Sequence, residues 1–130
     1  MATNIPADCL YAENHEWIRV AGDTARVGIS DHAQDELTDV VYVELPEVGD
    51  SFAQGAPFAV VESVKAASDV FLPVAGEIIA INEDLADTPE AVNEEPYGKG
   101  WFVEIRISNP DELSSLMTPE AYAAYLETLG

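Results

Sequence analysis

What most restricts the fold of this chain is the shortness of its apolar runs and the regularity with which glycine and proline interrupt them. Residues 16–20 alternate, Gly22-Asp23 turns, and residues 24–29 alternate again, so Ala25, Val27 and Ile29 share one face of a hairpin. Ser30 or Asp31 is placed to cap a short helix over residues 33–37. Residues 40–45 read as a strand with Val41, Val43 and Leu45 on one side. Pro46, which has no N–H to give to a ladder, should end it. Further strands are expected over 58–64, 76–82 and 101–107, the last with Trp101, Val103, Ile105 and Ile107 facing one way. A short helix near residues 89–92 would suit a proline in its first turn. The end changes period. Residues 110–116 and 119–129 read as helical, with Thr118 as a cap, Pro119 at the first helical position, and Tyr122, Tyr125, Leu126 and Leu129 as a packing stripe. Short strands with helices at the end predict a mostly β sandwich or barrel.

Lys65 stands at the middle of this pattern. Val60-Val61-Glu62-Ser63-Val64 leads up to it, small residues follow, and Val70-Phe71-Leu72 leads away, which reads as a hairpin with the lysine at its tip. Lysine is mostly exposed in any case, so a solvated amine alone would account for the position. The rest of the chain makes this lysine unusual, because 25 acidic residues face 5 basic ones and the only other lysine is Lys99. A net charge of -20 repels phosphate backbones and anionic membrane surfaces, and it attracts partners with basic patches. Neither nucleic acid nor membrane is therefore an expected partner. Cys9 is the sole cysteine, so no intrachain disulfide can form, and with neither a signal nor a transit pattern at the start the expected location is cytoplasmic.

The residues around the hairpin carry a resemblance. Glu62-Ser63-Val64-Lys65-Ala66, with Gly55 ten residues before the lysine and Gly76 eleven after it, resembles the swinging-arm hairpin of lipoyl and biotinyl carrier domains. His15-Glu16-Trp17, Val27-Gly28-Ile29-Ser30-Asp31-His32-Ala33-Gln34, Val43-Glu44-Leu45-Pro46-Glu47-Val48-Gly49-Asp50, Asn93-Glu94-Glu95-Pro96-Tyr97-Gly98 and Gly100-Trp101 are similar, in the same order, to the glycine cleavage system H-protein family. The likeness runs over about residues 11–125. It narrows the expected fold to the flattened barrel-sandwich hybrid of the lipoyl/biotinyl carrier type, mainly β with short helices and a C-terminal helix. Residues 1–10 are expected as a loose N-terminus ahead of a single carrier domain over 11–130.

The resemblance implies a carrier without catalysis of its own, lipoate being joined to Lys65 by a lipoate-attaching enzyme. A pyridoxal-phosphate glycine decarboxylase would load the arm with the aminomethyl group of glycine. A tetrahydrofolate-dependent aminomethyltransferase would unload it, and the FAD enzyme dihydrolipoyl dehydrogenase would take the electrons. In the family the loaded arm folds into a surface cleft. Glu16 and Asp69 match the family's positions there, Asn14 and Glu36 are further candidates, and carboxylates suit a cationic amine. A protein that must fit several active sites is expected as a monomer.

No catalytic constellation competes with this reading. Ser63 and Ser68 have no histidine near them in sequence, and isolated glycines form no phosphate loop. His15, His32 and Cys9 fit no closed zinc spacing, so no metal site is expected. Three other functions remain open at this level. A lipoyl domain of a 2-oxoacid dehydrogenase usually has Asp-Lys-Ala at the lysine, and a biotin carrier usually flanks it with methionines, where this chain has Val64 and Ala66. The third is a binding module that keeps the fold without modification.

Overall fold

A computed structural model describes residues 4–129. In chain order these form β1 (Leu10–Tyr11), β2 (Glu16–Ala21), β3 (Thr24–Ile29), α1 (Asp31–Leu37), β4 (Val40–Glu44), β5 (Ser51–Phe52), β6 (Pro57–Ser63) and β7 (Ala67–Phe71). After these come β8 (Gly76–Ile81), a 3-10 turn at Glu83–Ala86, α2 (Ala91–Glu94), β9 (Val103–Ile107), a 3-10 helix at Pro110–Ser115 and α3 (Pro119–Leu129). One sheet has the order β1-β2-β3-β9-β8-β5, and a second, smaller one has the order β4-β6-β7. The fold is mainly β with short helices and a C-terminal helix, as expected. Both sheets keep open edges, so it is a sandwich of two sheets rather than a closed barrel.

The two sheets share one core. Ala25, Val27 and Ile29 are buried together from β3, as their spacing predicts, and Ile78 and Ile105 join them from the same sheet. Val43, Val61 and Val70 close over them from the smaller sheet. In β4 the expected alternation fails. The ladder to β6 shifts register between Val40 and Tyr42, so Val40 and Val43 point inward while Val41 and Tyr42 are exposed. A bulge adds one residue on one strand, which reverses the facing of everything beyond it. Trp101 also departs from expectation: β9 starts after it, Phe102 is the buried aromatic, and the Arg26 guanidinium lies over the Trp101 ring at 4.6 Å. The helix expected near residues 89–92 forms slightly later, as α2.

A second cluster fastens both ends of the chain. Cys9, Tyr11, Trp17, Tyr97 and Tyr122 are buried together, with Tyr11 and Tyr122 stacked nearly parallel at 4.5 Å. Tyr11 and Met117 exchange backbone hydrogen bonds of 2.9 and 2.8 Å, which seats the segment leading into α3. The residue 118–119 signal works as read, since the Thr118 hydroxyl accepts from the Ala121 N–H at 3.2 Å. Of the stripe, Tyr122 is buried and Tyr125 and Leu126 are half-buried, but Leu129 is exposed. The N-terminus is held more firmly than expected from residue 4 onward. Asn4 donates its N–H to the Asp31 carboxylate at 2.9 Å and accepts from the Tyr97 hydroxyl at 2.8 Å, and the Tyr11 hydroxyl donates to the Pro6 carbonyl at 2.6 Å. The two bonds to Asn4 come from side chains distant in sequence, which no local pattern signals. Residues 1–3 and 130 lie outside the described residues.

Gly28 faces Trp17 across the β2–β3 ladder, and a Cβ there would stand 2.8 Å from the indole. The ring cannot retreat freely, because its Nε1–H donates to the Pro96 carbonyl at 2.9 Å. Gly28→Ala is expected to destabilise the protein by about 1–3 kcal/mol, as overpacking does. Urea unfolding should show a lower midpoint at unchanged slope.

Candidate functional site

The β6–β7 hairpin ends in a tight turn built by one side chain. The Ser63 hydroxyl accepts from the N–H groups of Lys65 at 3.2 Å and Ala66 at 3.1 Å, and the Ser63 N–H donates to the Ala66 carbonyl at 2.8 Å. Side-chain oxygens of serine compete well for backbone donors at such positions. Val64 N–H donates to the Asp39 carbonyl at 3.0 Å, so the turn is also pinned to the loop ahead of β4. Lys65 is exposed at the crest, as its sequence position predicts. Its Nζ donates to the Glu36 carbonyl of α1 at 3.2 Å.

Between the hairpin, α1 and the turn joining β1 to β2 lies a cleft of about 340 Å³. Asn14, Glu16, Glu36, Lys65 and Asp69 all line it, so the structure brings every sequence-nominated residue to one place. Ile29, Ala33, Leu37, Val61 and Val70 supply an apolar lining that the sequence reading did not nominate. These residues look like ordinary core positions in sequence, and only the gap between the two sheets and α1 exposes one side of them.

The polar groups of the cleft differ sharply in burial. Asp69 is exposed on β7, whereas Glu16 at the start of β2 is 2% exposed. Its carboxylate accepts the Phe71 N–H at 3.1 Å, a bond from the larger sheet to the smaller. Burial pushes the Glu16 carboxyl up to about 7 from an ordinary 4.5, and the Phe71 bond only partly offsets that. Near neutral pH it therefore exists in both forms. It can accept a proton from a neighbouring group, or meet a cation as a full charge.

His15 reaches the cleft through an unusual backbone. Its φ is 74°, in the left-handed region, where the turn closes with bonds from His15 N–H to the Ala12 carbonyl and from Ala12 N–H to the Glu16 carbonyl, both 2.9 Å. Its Nδ1 lies 2.8 Å from the Tyr122 hydroxyl, which is also 2.8 Å from the Ser30 hydroxyl. Ser30 is the N-cap of α1, its oxygen accepting from Ala33 N–H at 3.2 Å. Burial lowers the His15 pKa, and the neighbouring His32 adds to that. Sequence spacing missed the partnership of His15, Ser30 and Tyr122, because the three come from separate elements.

The whole arrangement combines an exposed amine, a long groove with apolar walls, and acids of graded burial within it. Such a groove can receive an extended apolar chain that ends in a cationic group. The chain is also similar to known proteins. A family model described as "Glycine cleavage H-protein" matches residues 9–129. A glycine cleavage system H protein of Halothermothrix orenii is 58% identical over 124 residues, covering 95% of this chain and 97% of that protein. A probable glycine cleavage system H protein of Haloarcula marismortui is 50% identical over 127 residues, covering 98% of this chain and all of its own length, 100%. The crystal structure of a glycine cleavage system H protein from Mycobacterium marinum superposes with a TM-score of 0.88 at 36% identity, over 95% of this chain and 99% of that one.

The raised Glu16 pKa makes a stability prediction. The folded state holds this proton more tightly than the unfolded one, so the contribution is complete below about pH 4.5 and is lost as pH climbs through about 7. Relative to Glu16→Gln, whose amide keeps an acceptor for Phe71, the wild type should lose on the order of 3 kcal/mol between those limits and nothing further above them. Urea unfolding of both proteins at acidic and mildly alkaline pH measures the difference.

Proposed function

The chain belongs to the glycine cleavage H-protein family, and from that premise we propose that it is the lipoyl-lysine carrier of a glycine cleavage system, with lipoate attached at Lys65. The observation that carries this reading is the exposed Lys65 amine at the crest of a hydrogen-bonded hairpin, beside a cleft with an apolar lining and a buried carboxyl. The residues present fit such a group. Lipoate is an apolar chain ending in a dithiolane, and Ile29, Leu37, Val61 and Val70 offer it apolar surface within reach of the hairpin.

Bound there, lipoate supplies the thiol–disulfide chemistry that accepts the aminomethyl group of glycine and later yields electrons. The chain's own residues do the rest. Ser63 holds the turn so that the amine faces the lipoate-attaching enzyme and later stands clear for three others: the pyridoxal-phosphate glycine decarboxylase, the tetrahydrofolate-dependent aminomethyltransferase and the FAD-containing dihydrolipoyl dehydrogenase. Amide formation removes the Lys65 charge and leaves one N–H to donate. Tethering then keeps the cargo at an effective concentration in the millimolar range for a short flexible link. Glu16 and Asp69 receive the cationic amine of the cargo, with Asn14 and Glu36 as further polar contacts, and the cleft walls exclude water from it. The acidic surface steers the carrier toward basic patches on its partners. It acts as a cytoplasmic monomer, a single carrier domain; among the described residues no helix is long and apolar enough to cross a membrane.

Intact mass measurement of protein from its native cell should find a lipoyl adduct that maps to Lys65, and Lys65→Arg should abolish both the adduct and glycine turnover by the reconstituted enzymes. Undiminished turnover would overturn the reading. The two acids should differ in weight. An exposed ion pair is worth at most about 1 kcal/mol, so Asp69→Asn should slow transfer between partner enzymes by up to about fivefold. Glu16→Gln removes a buried charge partner and should slow it by more than about tenfold, with attachment at Lys65 unchanged in both variants.

A further inference from the structure

The chain has only two histidines, and the fold packs them side by side. His15 sits in the turn between β1 and β2 and His32 in α1, yet their ring centres are 4.6 Å apart. Glu36, one turn further along α1, places a carboxylate oxygen 3.1 Å from His32 Nε2. One ligand atom from each of the three residues lies within 4.8 Å of the others. A tetrahedral zinc ion with ligands at about 2.0–2.1 Å spaces its donor atoms roughly 3.3 Å apart. The His32–Glu36 pair already has that spacing. The remaining closure falls to Glu36, whose side chain is 65% exposed and free to swing, and to small rotations of the rings.

A second contact prepares His15 for this role. His15 Nδ1 is committed to the Tyr122 hydroxyl, which leaves Nε2 as the donor atom. Tyr122 is bonded in turn to Ser30, the residue that caps the helix bearing His32 and Glu36. Metal-binding histidines characteristically have the second ring nitrogen held in this way, which fixes both tautomer and ring direction. A structural account needs only the Tyr122–His15 anchor and an exposed His32–Glu36 contact. It leaves unexplained why both imidazoles are brought to the same carboxylate.

We propose that His15, His32 and Glu36 form a binding site for Zn²⁺, with three protein ligands and an open coordination position toward the cleft that His15 and Glu36 also line. Two imidazoles and a carboxylate select a borderline transition ion over Mg²⁺ or Ca²⁺, which take oxygen ligands. The many surface acids draw cations of every kind toward the protein, but they have no nitrogen donors and do not discriminate in this way. The site needs no group on Lys65. It stands or falls independently of the carrier reading.

The test is calorimetric titration of the tag-free full-length protein with Zn²⁺ near neutral pH, in excess Mg²⁺ to saturate the acidic surface. One equivalent should bind, and His32→Ala and Glu36→Gln should each weaken it by about tenfold or more. Tyr122→Phe removes no ligand but frees the His15 ring, and it should weaken binding by about tenfold as well. Co²⁺ in place of Zn²⁺ should give a visible absorption band that His32→Ala abolishes. Neither His32 nor Glu36 belongs to the buried core, so circular dichroism should show their variants folded. Zn²⁺ affinity and stoichiometry unchanged in His32→Ala and Glu36→Gln would overturn the assignment, as would binding that Mg²⁺ displaces entirely.

Discussion

The hydroxyl of Tyr122 is the joint on which the site depends. It stands 2.8 Å from both His15 Nδ1 and Ser30 Oγ, so one buried atom ties together the C-terminal helix, the β1–β2 turn and the cap of α1. A buried hydroxyl left without partners would cost about 1–3 kcal/mol, and here both sides of it are satisfied. Burial pushes its ionisation up to about 12, so it remains a neutral donor and acceptor. Tyr11 stacks beneath the ring, and the paired backbone bonds between Tyr11 and Met117 fix the approach of α3. The helix at the far end of the chain thus sets the geometry of a cleft whose lining comes from earlier elements.

The distribution of charge follows from what burial permits. The ion pairs of this strongly acidic chain, such as Arg19–Asp8 at 2.9 Å and Arg106–Glu77 at 3.4 Å, are exposed or nearly so, and each contributes at most about 1 kcal/mol. Cohesion rests instead on the apolar core between the sheets and on the aromatic cluster beside it. Among the described residues the buried polar or charged side chains are Glu16, Ser30 and Asn82. Two of these three belong to the cleft or to the bonds that shape it. Asn82 has a structural task, its amide donating to the carbonyls of Lys99 at 2.7 Å and Trp101 at 2.8 Å. Glu16 is the costly one, and its shift toward neutrality is the direct result of standing at the bottom of an opening between two sheets.

Local signals carried much of the secondary structure. The Gly22-Asp23 hairpin, the Ser30 cap, the strand pair rising to Lys65 and the residue 118–119 helix start all lie where their residues place them. Each depends on neighbours a few positions away, where propensity and periodicity act. The misreadings share the opposite cause. The β4 irregularity lies in its ladder with β6, Trp101 stands outside the strand under the Arg26 guanidinium, and residue 4 is held by side chains from distant parts of the chain.

The same division applies to the site. Glu16 and Asp69 were marked only by their match to the family's motifs. Lys65 at a hairpin crest and the acidity of the surroundings were present in the linear order of residues, because turn chemistry and composition are local properties. The depth of Glu16, the apolar walls of the cleft and the meeting of His15 with His32 were not. They arise where one sheet, a helix and a remote tyrosine close around a common space, and a side chain's solvation there is set by what packs over it rather than by its neighbours in the chain.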